Sequence, residues 1–70
     1  MAYRRGSVDR ILVEEYDVIR VEDRPRYGTR EWGKWLEEFA ARHPLKVSRM
    51  TEPLAVRALK VLRNSIPDFD

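Results

Sequence analysis

The sequence predicts a single α+β domain, in which a small antiparallel sheet packs against two helices in ββαβα order. Three observations lead to this prediction: an amphipathic stretch from Thr29 to His43, a second one that ends near Ser65, and dense β-branched residues in the N-terminal third. Seventy residues without cysteine form one domain, residues 1–70, and no disulfide stabilises it. Its seven aromatic residues must therefore supply much of the core.

The segment from Ser7 to Asp23, which follows a basic N-terminal tail over residues 1–6, fits two structures. Its β-branched residues predict short strands at Ile11–Val13 and Val18–Val21. The same segment also fits a helix that Ser7 can cap. Glu15 interrupts the apolar face of this helix, which consists of Val8, Ile11, Leu12, Tyr16 and Ile19. We expect the two strands, and the alternative is an all-α trihelical bundle.

The stretch from Thr29 to His43 predicts the central helix. Thr29 is a suitable N-cap, and Pro44 disfavours helical geometry at the residue before it. A helical wheel with about 100° per residue places the apolar side chains on one arc, namely Trp32, Trp35, Leu36, Phe39, Ala40 and His43. Both tryptophans are therefore expected in the core rather than on a base-stacking surface.

A short strand and a second helix are predicted after Pro44. The alternation in Leu45–Met50 is typical of a strand, and an extended linker fits it equally. Thr51 as N-cap and Pro53 in the first turn then predict a helix that runs to about Ser65. Residues 67–70 form an acidic C-terminal tail.

Basic residues on the second helix form the most polarised surface that the sequence predicts, because they lie opposite its apolar face. A second basic cluster surrounds Tyr27 in the loop before the central helix, a pattern typical of segments that contact phosphates and stack on bases. The candidate nucleic-acid-binding residues are Arg24, Arg26, Tyr27, Lys46, Arg49, Arg57, Lys60, Arg63 and Asn64.

Two fragments resemble the recognition helix of GntR-type winged-helix repressors. Val47–Thr51 resembles the start of that helix, and Val56–Leu62 resembles its continuation. The two pieces are contiguous in that family, whereas Glu52–Ala55 separates them here and no wing follows. The resemblance implies a DNA-contacting helix in this part of the chain.

Composition and motifs exclude several function classes. The chain has no glycine-rich phosphate loop and no HExxH motif, and its single histidine, His43, has no assignable catalytic partner. We therefore expect no enzyme, no catalytic residue, no cofactor and no metal site. No apolar run is long enough to cross a membrane, and we expect a cytoplasmic protein.

Two functions fit the net charge of +2 and the pI near 9.3. The first is a nucleic-acid-binding module in transcription regulation, with duplex DNA as the expected partner. The second is a protein-binding regulator or inhibitor, such as a small viral or mobile-element protein. It would meet an acidic host protein through the basic helix or add a strand edge to a partner's sheet. A homodimer is compatible with both, and the charge-rich composition is compatible with a thermophilic source.

Overall fold

Four α-helices and one 3-10 turn form the part of the chain, residues 6–69, that the computed structural model describes. Helix α1 spans Val8–Asp17, α2 spans Arg30–Arg42, α3 spans Pro44–Ser48 and α4 spans Leu54–Ser65, and the 3-10 turn at Val21–Asp23 lies between α1 and α2. No strand occurs in residues 6–69, so the predicted α+β class is wrong and the domain is all-helical. The predicted basic tail, apart from Gly6, and the last residue of the acidic tail lie outside the described residues.

Helix α1 stands where the first strand was predicted. Ser7 caps it, because its hydroxyl accepts a hydrogen bond from the backbone N–H of Arg10 at 3.2 Å. Leu12 and Tyr16 are buried on its inner face, while Val18, from the second predicted strand, is 80% exposed. The helix propensities of β-branched residues are only slightly unfavourable, so burial of a face with a 3.6-residue period overrides them.

Glu15 interrupts the apolar face of α1, and its charge is compensated by two side chains at the C-terminal end of α2. Arg42 donates a hydrogen bond to Oε1 of Glu15 at 2.5 Å, and His43 Nε2 lies 2.5 Å from Oε2. Burial by itself would raise the pKa of Glu15, but the hydrogen bonds from His43 and Arg42, together with their charges, lower it below its ordinary value. The carboxylate therefore ties α1 to the C-terminal end of α2.

Helix α2 begins and ends where the sequence predicts. Thr29 Oγ1 accepts a hydrogen bond from the N–H of Trp32 at 3.2 Å, which confirms the N-cap. The last helical residue is Arg42, and Pro44 follows two residues later. Pro44 also begins α3, because a first helical position needs no N–H donor. The strand predicted over residues 45–50 is therefore wrong, and Leu45 is 71% exposed.

Helix α4 begins at Leu54, later than the sequence predicts. Pro53 occupies the cap position, where its carbonyl accepts a hydrogen bond from the N–H of Arg57 at 3.1 Å. Thr51 lies two residues too early to cap the helix, and the cap makes no side-chain hydrogen bond. The predicted end at Ser65 is confirmed.

The core is an aromatic cluster to which α1, α2, α4 and the C-terminal segment contribute. Trp32 and Trp35 are 5% and 9% exposed, which confirms them as core residues. The ring of Phe69 lies 5.6 Å from those of both Tyr16 and Trp32, so the C-terminal segment folds back onto the cluster. The buried apolar residues are Leu12, Tyr16, Trp32, Trp35, Leu36, Phe39, Ala58, Val61, Leu62 and Ile66.

Candidate nucleic-acid interface

Basic and acidic residues are unevenly distributed along the chain. Residues 44–64, which contain α3, the following loop and α4, carry five basic residues and one acidic residue, Glu52. Residues 6–43 carry seven basic and nine acidic residues. Among the described residues, 44–64 therefore carry a net positive charge and 6–43 a net negative one, and we call residues 44–64 the basic segment.

Three of the predicted cations line one groove. Lys46 from α3, Arg49 from the loop and Arg57 from α4 face a solvent-open groove of about 370 Å³, which we call the basic groove. The first turn of α1 and the loop before α4 complete its lining with Ser7, Val8, Asp9, Met50 and Thr51. Tertiary packing thus brings together cations that the sequence places on three different elements, at the positive end of the α1 dipole.

Three cations of the basic segment have no carboxylate partner. Lys46, Arg49 and Arg63 are exposed, and none of them forms an ion pair with any residue in the range 6–69. Such side chains can contact phosphate oxygens without first breaking an internal ion pair.

Arg10 of α1 and Arg20 of the connection that follows it have local acidic partners instead. Arg10 pairs with Glu14 at 2.8 Å within α1, and Arg20 pairs with Glu22. These contacts leave little net positive charge on that part of the surface.

Arg57 and Lys60 are held by two carboxylates that sequence reasoning missed. Lys60 Nζ lies 3.1 Å from Oε2 of Glu52, and Arg57 Nε lies 3.0 Å from Oε1 of the same carboxylate. Arg57 Nη1 also donates to Oδ2 of Asp9 at 3.4 Å, which connects α4 to α1. Arg57 Nε is buried but makes no hydrogen bond, so its contact with Glu52 is electrostatic. The basic surface is therefore less positive than the sequence pattern indicates.

The solvent face of α4 is formed by Val56, Lys60, Arg63 and Asn64, all of them exposed. Its opposite face, with Ala58, Val61 and Leu62, is buried against the core. A helix of twelve residues is about 18 Å long. Two cations and one amide thus stand on one free face of a rigid element, which is the arrangement that groove-reading helices use.

Arg24, Arg26 and Tyr27 do not line the basic groove. Arg24 donates to the carbonyl oxygens of Ile19 and Asp17, each at 2.9 Å, and its guanidinium lies 5.4 Å from the centre of the Tyr16 ring. Its side chain is only 13% exposed, so it holds the connection between α1 and α2 in place.

Tyr27 is half-exposed and packs edge-on against Trp32, with 5.9 Å between the ring centres. Arg26 is exposed and lines a different cavity, of about 250 Å³, together with Arg24 and Phe69. A nucleic-acid contact by this loop stays a prediction, separate from the basic groove.

The fragments that resemble a GntR-type recognition helix do not form one helix. Val47 and Ser48 end α3, the next five residues are outside the helices, and Val56–Leu62 lies within α4. No family model, curated protein or solved structure matches the chain.

The described residues also offer no arrangement for two other kinds of site. Within residues 6–69, no three acidic or histidine side chains are placed to hold a metal ion together. No helix in the same range has the length and apolar content needed to cross a bilayer.

Proposed function

We propose that this protein is a small nucleic-acid-binding module, with duplex DNA as its partner and transcription regulation as its role. The observation that carries the proposal is the set of exposed cations without ion-pair partners in the basic segment, Lys46, Arg49 and Arg63. Cations of this kind supply the sequence-independent, salt-dependent part of DNA affinity, because each phosphate contact releases condensed counterions.

In the proposed arrangement, α4 presents its solvent face to the major groove. The major groove of duplex DNA is about 12 Å wide and admits one helix. Lys60 and Arg63 then face the DNA, and the amide of Asn64 has the donor and the acceptor that an adenine edge requires. Lys46 and Arg49, on the basic groove, contact the phosphate backbone and fix the orientation of the helix.

A second candidate function is a protein-binding regulator with an acidic partner. The observation that favours it is the presence of exposed apolar side chains beside these cations, with Leu45 71% and Val56 42% exposed. Interfaces between proteins commonly combine such apolar contacts with arginine. Residues 6–69 contain no strand that could add an edge to a partner's sheet.

DNA binding can be tested with a matched pair of double variants. Lys46→Ala with Arg49→Ala removes two cations of the basic groove, while Arg30→Ala with Lys34→Ala removes one Arg and one Lys from the exposed face of α2. All four side chains are exposed and have no ion-pair partner in residues 6–69. Both double variants therefore lose the same charge, and only the location differs.

Fluorescence anisotropy with a labelled duplex is the measurement, over about 50 to 200 mM salt. We expect the K46A/R49A variant to lose at least about tenfold in affinity, with a slope of log affinity against log salt that is shallower by about 0.9 for each lost contact. The R30A/K34A variant is expected to stay within about twofold of the wild type. Equal losses in both variants, or no binding by the wild type at about 50 mM salt, would contradict DNA binding through this surface.

A further inference from the structure

Glu52 is the one acidic residue of the basic segment, and it contacts two of the segment's five cations. Its carboxylate bridges them: Oε1 lies 3.0 Å from Arg57 Nε, and Oε2 lies 3.1 Å from Lys60 Nζ. Two oxygens of one anion thus occupy positions in which two oxygens of one phosphate group would also meet both cations.

The location of Glu52 allows this carboxylate to leave without disturbing α4. Glu52 belongs to the loop, two residues before the first helical residue, Leu54. The first backbone hydrogen bond of the helix runs from the N–H of Arg57 to the carbonyl of Pro53 and does not involve Glu52. The contact to Lys60 joins a loop side chain to a lysine side chain that is 64% exposed, so rotation of the two side chains is enough to break it.

Arg57 and Lys60 differ in what remains after Glu52 has left. Arg57 keeps its second partner, Asp9 at 3.4 Å, and stays anchored between α1 and α4. Lys60 has no other carboxylate partner in residues 6–69 and becomes a free cation on the solvent face of α4. Displacement of Glu52 therefore leaves about one unit of positive charge uncompensated, most of it at Lys60, because Arg57 keeps Asp9 as a partner.

We propose that Glu52 is an internal counter-anion of the DNA-binding surface. It occupies the phosphate-contacting side of Lys60 and Arg57 in the free protein, and a backbone phosphate displaces it on binding. This inference rests on the proposed DNA binding. Glu52 then sets the affinity, because part of each phosphate contact is offset by the broken internal pair. It also favours partners that bring several phosphates, because a separate small anion loses translational and rotational freedom on binding, whereas the Glu52 carboxylate is already attached to the chain.

A purely structural role for Glu52 makes a different prediction. An acidic residue near the start of a helix is stabilised by the helix dipole, so its loss lowers the stability of α4 without raising DNA affinity. The two roles are separated by measurement of DNA affinity and thermal stability on the same variants.

The test is Glu52→Gln, with Glu37→Gln as its matched control. Both substitutions raise the net charge by one, but Glu37 lies on the exposed face of α2, outside the basic segment. We expect E52Q to bind duplex DNA about fivefold more tightly than E37Q near 0.1 M salt, with a salt slope steeper by about 0.9. In a Lys60→Ala background, the gain from E52Q should fall to less than about twofold.

The outcomes distinguish this inference from the proposed function. If the wild type binds DNA and E52Q gains no more than E37Q, Glu52 is not a counter-anion and DNA binding stands. If neither wild type nor E52Q binds, both proposals are wrong. Glu52→Asp provides a second test that keeps the charge: the shorter side chain cannot bridge both cations, so E52D should also bind more tightly than the wild type. Equal affinity of E52D, E52Q and the wild type would overturn the inference.

Discussion

At the scale of single residues, Glu15 shows how a charged side chain is accommodated on a core-facing surface. It lies on the inner side of α1, and both of its carboxylate oxygens contact side chains at the end of α2, Arg42 and His43. The His43 ring in turn packs 4.8 Å from the ring of Phe39, which is fully buried. One carboxylate thus connects two helices and the edge of the core.

Replacement of Glu15 by Gln is expected to destabilise the fold by about 1 to 2 kcal/mol, between the values typical of exposed ion pairs and of hydrogen bonds to charged groups. The measurement is the free energy of unfolding in urea at neutral pH. Glu37→Gln, on the exposed face of α2, is the control and should remain within about 0.5 kcal/mol of the wild type. A loss of stability in E15Q no larger than that in E37Q would show that the contacts of Glu15 with Arg42 and His43 do not stabilise the fold.

The same substitution has a pH signature. The pKa of Glu15 is lower in the folded state than its ordinary value, so the unfolded chain binds more protons as the pH falls. The contribution of Glu15 to stability is therefore complete above the pKa of the unfolded side chain, 4.5, and is lost as the pH falls through the lower pKa of the folded state. The stability difference between wild type and E15Q should shrink from about pH 6 to about pH 3.

At the scale of elements, the helix starts differ in how their first N–H groups are satisfied. Thr29 caps α2 with its hydroxyl, whereas α4 begins after Pro53 with no side-chain cap. The sequence pattern predicts both Thr29 and Thr51 as caps, since each threonine precedes an amphipathic run. The two threonines differ in their position along the chain: Thr29 is the N-cap residue of α2, whereas Thr51 lies two residues before the N-cap residue of α4.

This difference predicts unequal effects of two identical substitutions. Thr29→Ala is expected to cost about 1 kcal/mol of stability, because the N–H of Trp32 loses its acceptor. Thr51→Ala is expected to cost less than about 0.5 kcal/mol, because Thr51 is exposed and caps no helix. Thermal unfolding followed by circular dichroism compares the two, and equal losses would refute the assignment of Pro53 as the N-cap of α4.

The start of α1 shows the limit of propensity at this scale. Val8, Ile11 and Val13 have β-branched side chains, which favour a strand, and yet all three belong to α1. Ser7 and the helical face of this segment are both visible in the sequence. The sequence does not show that Glu15, which interrupts that face, contacts Arg42 and His43 at the C-terminal end of α2.

At the scale of the whole molecule, stability depends on one aromatic cluster. Phe39 is fully buried, and its ring lies 5.9 Å from Trp35 and 4.8 Å from His43. A domain of this size holds little reserve, so the loss of one central side chain affects all the helices together.

Phe39→Ala is expected to cost about 3 to 5 kcal/mol, which is comparable to the total stability of a core this small. We expect most of the far-ultraviolet helical signal to disappear at 25 °C, because a loss of this size removes most of the free energy that separates the folded from the unfolded state. Val18→Ala, at a position that is 80% exposed, is the control and should leave the signal unchanged. A cooperative, native-like thermal transition in F39A would contradict a single shared core.

The sequence alone determined the central helix, its Thr29 cap, its end before Pro44, its buried tryptophans and the last residue of α4, because these follow from local periodicity and backbone chemistry. It also located the basic residues of α3 and α4. Only the tertiary structure decided that residues 8–17 are helical, and only it joined Lys46, Arg49 and Arg57 in one groove. The pairing of Arg57 and Lys60 with Glu52 and Asp9 was likewise decided there. The physical reason is common to all three: burial and ion pairing depend on side chains that meet across the fold, and a local pattern does not contain its distant partners.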